Sequence, residues 1–257
     1  MLAILSPAKS LDPTQPTLSL SPSQPVFEKD TAILLGVMKK KSPAKLKAMM
    51  GISDKLADLN HERFQSMTVP GRPDGVPASM LFAGDVYRGL NARTLSPEAL
   101  SWAQDNVAIL SGFYGLLRPL DRTDPYRLEM GTKLKTRRGG SLYDFWGTRL
   151  AKRVDVLIAE HQDKAVVNLA SGEYAKAVSR KALKAEWIDV SFKEIREGKP
   201  RIISFFAKYA RGVMARWMVT QRVSRREQLR EFSEEGYAFD PALSSDANLV
   251  FTRSSSA

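Results

Sequence analysis

The feature that most limits what this chain can fold into is a short apolar run that stops abruptly at a serine followed by proline or glycine. Leu2 to Leu5 runs into Ser6-Pro7, Val107 to Leu110 into Ser111-Gly112, and Ala165 to Ala170 into Ser171-Gly172; Met80 to Ala83 ends in a similar way at Gly84-Asp85. Runs of four to six residues with no polar alternation predict strands buried on both faces, the habit of a parallel or mixed sheet covered by helices. Between them, Thr31 to Lys41, Pro97 to Asn106 and Gly147 to Gln162 carry apolar residues at three and four spacing, and Ser96-Pro97 reads as an N-cap followed by the first helical residue. The expected fold class is therefore α/β: one compact domain over residues 1–257, with a mixed, largely buried sheet, surrounding helices and a small helical insertion.

Further along, Trp187 to Phe192 alternates polar and apolar residues, and after a Glu-Gly-Lys-Pro break Arg201 to Phe206 resumes a strand-like run, predicting an antiparallel hairpin. Asn248 to Arg253 is expected to add one more edge strand. Leu11 to Pro25 and Pro70 to Pro77 read as surface loops rather than interdomain linkers, because no change in composition flanks either. Ser-Pro-Ala-Lys occurs at Ser6 to Lys9 and again at Ser42 to Lys45, but the flanking residues differ, so it marks no internal repeat.

Charge narrows the function. Thirty-nine Lys and Arg stand against 28 Asp and Glu, a net charge of +11, and there is no cysteine and only two histidines, His61 and His161. That excludes disulfides, a thiolate nucleophile, zinc ribbons and cysteine-ligated iron–sulfur clusters, so neither a metal nor a cofactor is expected. The first residues lack the basic stretch and long apolar run of a secretory signal, and no apolar stretch approaches the ~18 residues of a membrane helix, so a cytoplasmic protein without a membrane partner is expected. The positive charge is local: residues 196–230 hold ten Lys and Arg against two acids, 133–153 seven against one, and 39–55 six against one. The segment 231–257 reverses the sign, with five acids and one Arg, and reads as an acidic C-terminal tail. On a helix over about 207–222, steps of 100° put Lys208, Arg211 and Arg222 on one side and Tyr209, Val213, Met214, Trp217 and Met218 on the other. Such a basic face is either the solvated side of a core-packing helix or a surface that tracks nucleic-acid phosphates.

The most specific local pattern lies at about 42–60. Ser42 caps a short helix from Pro43, a turn follows at Gly51-Ile52-Ser53, and Asp54 starts a second helix. This resembles the helix-hairpin-helix motif of DNA-binding proteins without sequence specificity, apolar-x-x-Leu-Pro-Gly-Ile-Gly-x-Lys-x-Ala. Leu46, Met49, Gly51, Ile52, Lys55 and Ala57 match it in register, while Met50 replaces the proline and Ser53 the second glycine. Unpaired N–H groups of Gly51, Ile52 and Ser53, aided by the dipole of the second helix, are expected to hold a phosphate oxygen while Lys55 adds a full charge. An ordinary helical turn with a glycine stop and a serine cap has the same pattern. The expected DNA-binding set is Gly51, Ile52, Ser53 and Lys55 with Lys208 and Arg211, and the expected partner is double-stranded DNA.

A second candidate site follows from topology, because ligands of open α/β sheets gather beyond the carboxyl ends of the strands. Those ends carry Ser6 and Lys9, Asp85 and Tyr87, Tyr114 and Arg118, and Ser171, Glu173 and Tyr174; the Pro- and Gly-rich stretch Leu117 to Gly131 adds Arg127 and Glu129. The candidate pocket is Ser6, Lys9, Asp85, Tyr87, Arg118, Arg127, Glu129, Ser171 and Glu173, with a buried lysine as base or anion holder. Salt-bridged scaffolding is the alternative for the same residues. No Gly-x-Gly-x-x-Gly, Gly-Lys-Ser/Thr, Gly-x-Ser-x-Gly or Glu-x-x-His pattern is present, so dinucleotide binding, P-loop hydrolysis, elbow-serine hydrolysis and di-iron chemistry leave no trace and no catalytic residue is assigned.

Taken together, Ser6-Pro-Ala-Lys9, Phe82-Ala-Gly-Asp-Val-Tyr87 with Gly89-Leu90, Leu110-Ser-Gly-Phe-Tyr-Gly115, Leu117-Arg-Pro-Leu-Asp121, Pro125-Tyr-Arg-Leu-Glu-Met-Gly131, Asn168-Leu-Ala-Ser171 with Glu173-Tyr174, and Ser204-Phe-Phe-Ala-Lys-Tyr-Ala-Arg211 resemble the YaaA family of bacterial peroxide-stress proteins. The resemblance spans nearly the whole chain. It implies a compact α/β fold containing a helix-hairpin-helix, binding to double-stranded DNA, and a role in limiting damage when peroxide meets unincorporated iron. It establishes no reaction. An enzyme acting on a nucleobase or nucleotide around Ser6, Lys9, Arg118 and Glu173 is the alternative expectation, with a small nucleobase-like ligand as its partner.

Overall fold

The structure, a computed structural model, describes residues 1–69, 71 and 74–254. Its strands are β1 (Leu2–Leu5), β2 (Val76–Pro77), β3 (Val107–Ser111), β4 (Gly115–Leu117), β5 (Arg122–Thr123), β6 (Ala165–Asn168), β7 (Glu186–Arg196), β8 (Lys199–Arg201), β9 (Ala238–Phe239) and β10 (Asn248–Ser254). The α-helices are α1 (Glu28–Lys39), α2 (Pro43–Met50), α3 (Asp54–Ser66), α4 (Ala78–Leu81), α5 (Asp85–Leu90), α6 (Pro97–Asn106), α7 (Leu142–Trp146), α8 (Arg149–Leu157), α9 (Gly172–Ala175) and α10 (Ser204–Thr220). No helix among the described residues is long and apolar enough to cross a membrane.

One mixed sheet organises the domain, in the order β4-β3-β1-β6-β7-β10-β9, with β8 paired to β7. The five strands β3, β1, β6, β7 and β10 run parallel, and the short strands β4, β8 and β9 close it antiparallel. β1 is buried along its whole length, as the unbroken Leu-Ala-Ile-Leu run demands, and it stops where Pro7 withdraws an N–H from the ladder. Its neighbours β3 and β6 lie on opposite sides of it, so the chain builds outward to β3 and then crosses back to β6. That reversal makes the carboxyl ends of β1 and β6 the place where flanking loops diverge and a crevice can form.

Several sequence expectations change. Met80 to Ala83 is no strand: Ala78–Leu81 forms one helical turn, and Phe82 makes only an isolated bridge to Leu11. A four-residue apolar run is equally at home in either state when every side chain is buried. The helix expected over Gly147 to Gln162 is confined to Arg149–Leu157. The β7–β8 hairpin forms, but Glu197 and Gly198 (φ 49° and 70°) turn the chain so tightly that β8 occupies Lys199–Arg201, and Ser204 to Phe206 already belong to α10. Asn248–Ser254 is not an edge strand: it pairs with β7 on one side and β9 on the other, burying Leu249, Val250 and Phe251, so much of the acidic C-terminal segment is packed onto the sheet. Part of the Pro70 to Pro77 loop lies outside the described residues, and its end, Val76–Pro77, pairs with β5.

α10 departs most from its expected form. Residues on several of its sides are buried, among them Ala207, Ala210, Gly212, Met214, Ala215, Met218 and Val219. Arg222 lies beyond its end at φ 51°, so the basic stripe of Lys208, Arg211 and Arg222 is not a continuous helical face. One side of α10 meets α5 backbone to backbone: a Cβ at Gly212 would sit 1.8 Å from the carbonyl oxygen of Val86, and one at Gly89 would sit 2.3 Å from that of Tyr209. Hydrogen bonds from Arg216 to the carbonyls of Leu90 and Asn91 (3.0 and 2.9 Å) lock the far end of the contact. Gly36, by contrast, sits exposed within α1, where a Cβ would meet nothing. One substitution should therefore act with opposite signs: in urea unfolding, Gly212→Ala is expected to destabilise by about 3 kcal/mol through overpacking, and Gly36→Ala to stabilise by up to about 1 kcal/mol through helix propensity. Equal stabilities for the two variants would contradict the close helix contact.

Candidate functional site

The carboxyl ends of β1 and β6 open into a cleft of about 440 Å³, walled by the loop before α5, the segment Tyr126 to Glu129, the start of α9 and the first turns of α10. Its floor is built from the two strand ends. The N–H of Ser171 donates to Ser6 Oγ (2.8 Å), the Ser6 hydroxyl donates to Ser171 Oγ (3.2 Å), and the Leu169 N–H extends the β1 ladder to Ile4 O (3.0 Å). Tyr87, one turn into α5, donates its hydroxyl to Ser6 O (2.9 Å) and ties that helix to the same strand end.

Charge in the cleft is arranged in pairs with some cations left over. Glu129 accepts from Arg127 (3.1 Å) and from Lys9 (2.9 Å), and Asp85 pairs with Arg88 (3.0 Å). Glu173 takes the N–H of Gly131 on one carboxylate oxygen (2.7 Å). Lys208 and Arg211 also line the cleft, and neither has an ion-pair partner among the described residues. Burial lowers the Arg211 guanidinium from its usual range, and its Nε is buried without a hydrogen-bond partner. The Nε of Arg127 is likewise unpartnered.

Aromatic rings supply the apolar surface. Phe82 lies 5.3 Å from Tyr87 and 6.3 Å from Tyr126, centroid to centroid. Burial, reinforced by the neighbouring phenols Tyr126 and Tyr174, raises Tyr87 well above the usual tyrosine range. Burial also dominates at Tyr126, against the lowering effect of its bond with Ser111, and at Tyr174, where Tyr126 and Glu173 add to it. All three stay neutral across the physiological range, as phenols able to donate hydrogen bonds.

Of the pocket residues expected from sequence, Ser6, Lys9, Asp85, Tyr87, Arg127, Glu129, Ser171 and Glu173 line this cleft. Arg118 does not: β4 runs antiparallel to β3, so the residue after β4 returns toward the amino end of β3, where it approaches Asp121 (3.8 Å) and Asp105 (4.0 Å). Lys9 is no buried base, because its side chain is 63% exposed and paired with Glu129. Ser111, at the end of β3, turns inward to accept from the amides of Phe113 and Tyr114. Sequence reasoning assigned Lys208 and Arg211 to an outward nucleic-acid face, but they line the cleft because the α5–α10 contact swings the first turns of α10 over it. It passed over Tyr126 as a cleft residue, although Tyr126 lies in the same short segment as Arg127 and Glu129.

The turn at Gly51 forms a second, separate feature. Ser42 caps α2 by accepting from Lys45 N (3.4 Å), Gly51 takes the left-handed conformation (φ 62°), and Ser53 caps α3 by accepting from Leu56 N (3.4 Å). Ile52 and Ala57 are buried and hold the two helices together, whereas Gly51, Ser53, Asp54 and Lys55 are exposed. Unpaired amides are expected from sequence at Gly51 and Ile52; instead both close α2 by donating to Lys47 O (2.9 and 3.4 Å). Lys47 also reaches across to Asp54 (2.9 Å), offsetting the carboxylate beside the turn.

Comparison with known proteins places this architecture. Residues 1–243 match the family model described as peroxide stress protein YaaA. The chain is 49% identical over 253 residues to a UPF0246 protein of Caulobacter vibrioides strain CB15N, covering 98% of this chain and 99% of that one. It is 48% identical to a UPF0246 protein of Verminephrobacter eiseniae over the full length of both, and 47% identical to one of Phenylobacterium zucineum over 98% of this chain and 95% of the relative. The residues of the cleft and of the Gly51 turn all fall inside the matched region, and the chain belongs to the peroxide stress protein YaaA family.

Proposed function

We propose that this family member is a cytoplasmic peroxide-stress protein that binds the phosphate backbone of double-stranded DNA through the turn from Gly51 to Lys55, without reading sequence, and so limits oxidative damage linked to free iron. The observation that carries the reading is the geometry of that turn. A left-handed glycine reverses the chain, buried Ile52 anchors it, and Ser53 and Lys55 stand exposed at the positive end of a thirteen-residue helix. First-turn N–H groups and the helix dipole attract an anion there, and the Lys55 ammonium adds a full charge. The Lys47–Asp54 pair removes much of the repulsion that a lone carboxylate would impose on a phosphate.

The net charge of +11 supports association with a polyanion, and backbone contacts of this kind position a protein without conveying base identity. Gly51 and Ile52 act as the bend and its anchor, so the direct contacts in this reading are Ser53 and Lys55; Lys208 and Arg211 belong to the cleft. With no cysteine in the chain, protection does not run through thiols of its own. Lys55→Ala should weaken duplex binding to all sequences alike and reduce the slope of log K against log salt by about one. Titration of fluorescent duplexes at several salt concentrations checks this, and unchanged affinity with an unchanged slope would overturn the assignment of the turn.

A further inference from the structure

We infer that the strand-end cleft is a binding site for a single nucleotide, with the phosphate held by Lys208, Arg211 and Arg127 and the base laid against the tyrosine-rich wall. This goes beyond the DNA-backbone reading and does not rest on it, since the Gly51 turn contributes no residue to the cleft.

The case begins with unmet hydrogen-bonding groups. Buried polar atoms in folded proteins nearly always have partners, and those that lack them need a specific reason. Among the described residues, three guanidinium Nε donors, those of Arg127, Arg153 and Arg211, are buried without partners, and two of them, Arg127 and Arg211, belong to side chains lining this one cleft. Lys208, one turn before Arg211 on α10, brings an ammonium to the same wall. The carboxylates nearby leave Lys208 and Arg211 without an ion pair: Glu129 is shared by Lys9 and Arg127, Asp85 is taken by Arg88, and Glu173 receives a backbone N–H. Guanidinium forks with an adjacent lysine suit the several oxygens of a phosphate.

The rest of the cleft suits what a nucleotide adds to its phosphate. Phe82, Tyr87 and Tyr126 line the cleft as an aromatic wall, with the Phe82 ring inclined by 41° to Tyr87 and 78° to Tyr126, so a base meets one ring face or edge rather than a continuous plane, and their neighbour Tyr174 keeps a neutral hydroxyl. The second carboxylate oxygen of Glu173 and the Ser6–Ser171 hydroxyl pair supply acceptors for sugar hydroxyls or exocyclic amines. A cleft of about 440 Å³ lies within the range of small-molecule sites. The shared chemistry is a phosphate joined to a planar base, whether in a free mononucleotide or at the 5′ end of a DNA strand.

Isothermal titration of the full chain with the four deoxynucleoside 5′-monophosphates, the matching deoxynucleosides and inorganic phosphate tests the inference. At least one monophosphate should bind, with the nucleoside and inorganic phosphate each at least tenfold weaker. Lys208→Ala, a change at an exposed side chain, and Arg211→Gln should each weaken monophosphate binding at least tenfold, while Lys55→Ala should leave it unchanged. Competition by a 5′-phosphorylated single-stranded oligonucleotide against the same oligonucleotide without phosphate separates the two sources: selective displacement by the phosphorylated strand identifies a strand end, and its absence a free nucleotide. The inference is overturned if no monophosphate binds, if the nucleoside or phosphate binds as tightly, or if a folded Lys208→Ala variant binds like the unaltered protein.

Discussion

Everything in this fold hangs on the placement of β1 between β3 and β6. Four apolar residues, each almost wholly removed from water, need cover on both faces of the sheet, and β1 has it at the centre with a parallel strand on each side. Once β1 is central, the chain must reverse direction around it, and the loops after β1 and β6 separate at their carboxyl ends. The cleft is the consequence, and the Ser6–Ser171 hydrogen bonds mark where the two strand ends are stitched together beneath it. The second condition is the close contact of α5 with α10, which lets a helix from late in the chain deliver Lys208 and Arg211 to a site begun by residues 6–10.

The two candidate sites are separate in sequence but share a core. Phe64 of α3 packs on Phe113 (5.8 Å), which packs on Tyr126 (5.3 Å) at the cleft, and Phe82 and Tyr87 continue the array. The helix that begins at the Gly51 turn is therefore fixed to the same aromatic core that forms the cleft wall. A rigid mount suits both readings, because phosphate contacts made by backbone donors and an aromatic wall for a base each depend on fixed geometry.

What could be read from sequence was what local chemistry decides. Ser42 and Ser96 cap helices as expected, and Ser53 does so as in the alternative reading of its turn, because a side-chain oxygen three residues before an open N–H has a short-range reason to be there, and Gly51 turns left-handed because no other residue does so at so little cost. The continuous apolar runs of β1, β3 and β6 were equally plain. The four residues from Met80 to Ala83 were ambiguous because Met80, Leu81 and Phe82 are all buried, which erases periodicity, and the long-range bridge of Phe82 to Leu11 with the hydrogen bonds of Asp12 N to Leu81 O and Ala83 N to Ser10 O shows how that segment sits. Arg118 was misplaced because its position depends on β4 running back along β3, a long-range pairing that a terminal strand residue does not announce. Lys208 and Arg211 had the right spacing for one surface, but which surface depended on two glycines more than a hundred residues apart.

The central claim is that the turn from Gly51 to Lys55 is where this peroxide-stress family member meets DNA. Hydrogen–deuterium exchange of the full chain, with and without a saturating duplex at low salt, tests it most directly. The account predicts slowed exchange concentrated at the amides of residues 53–56, at the start of α3. Exchange there unchanged by the duplex, with protection confined to other segments, would contradict it.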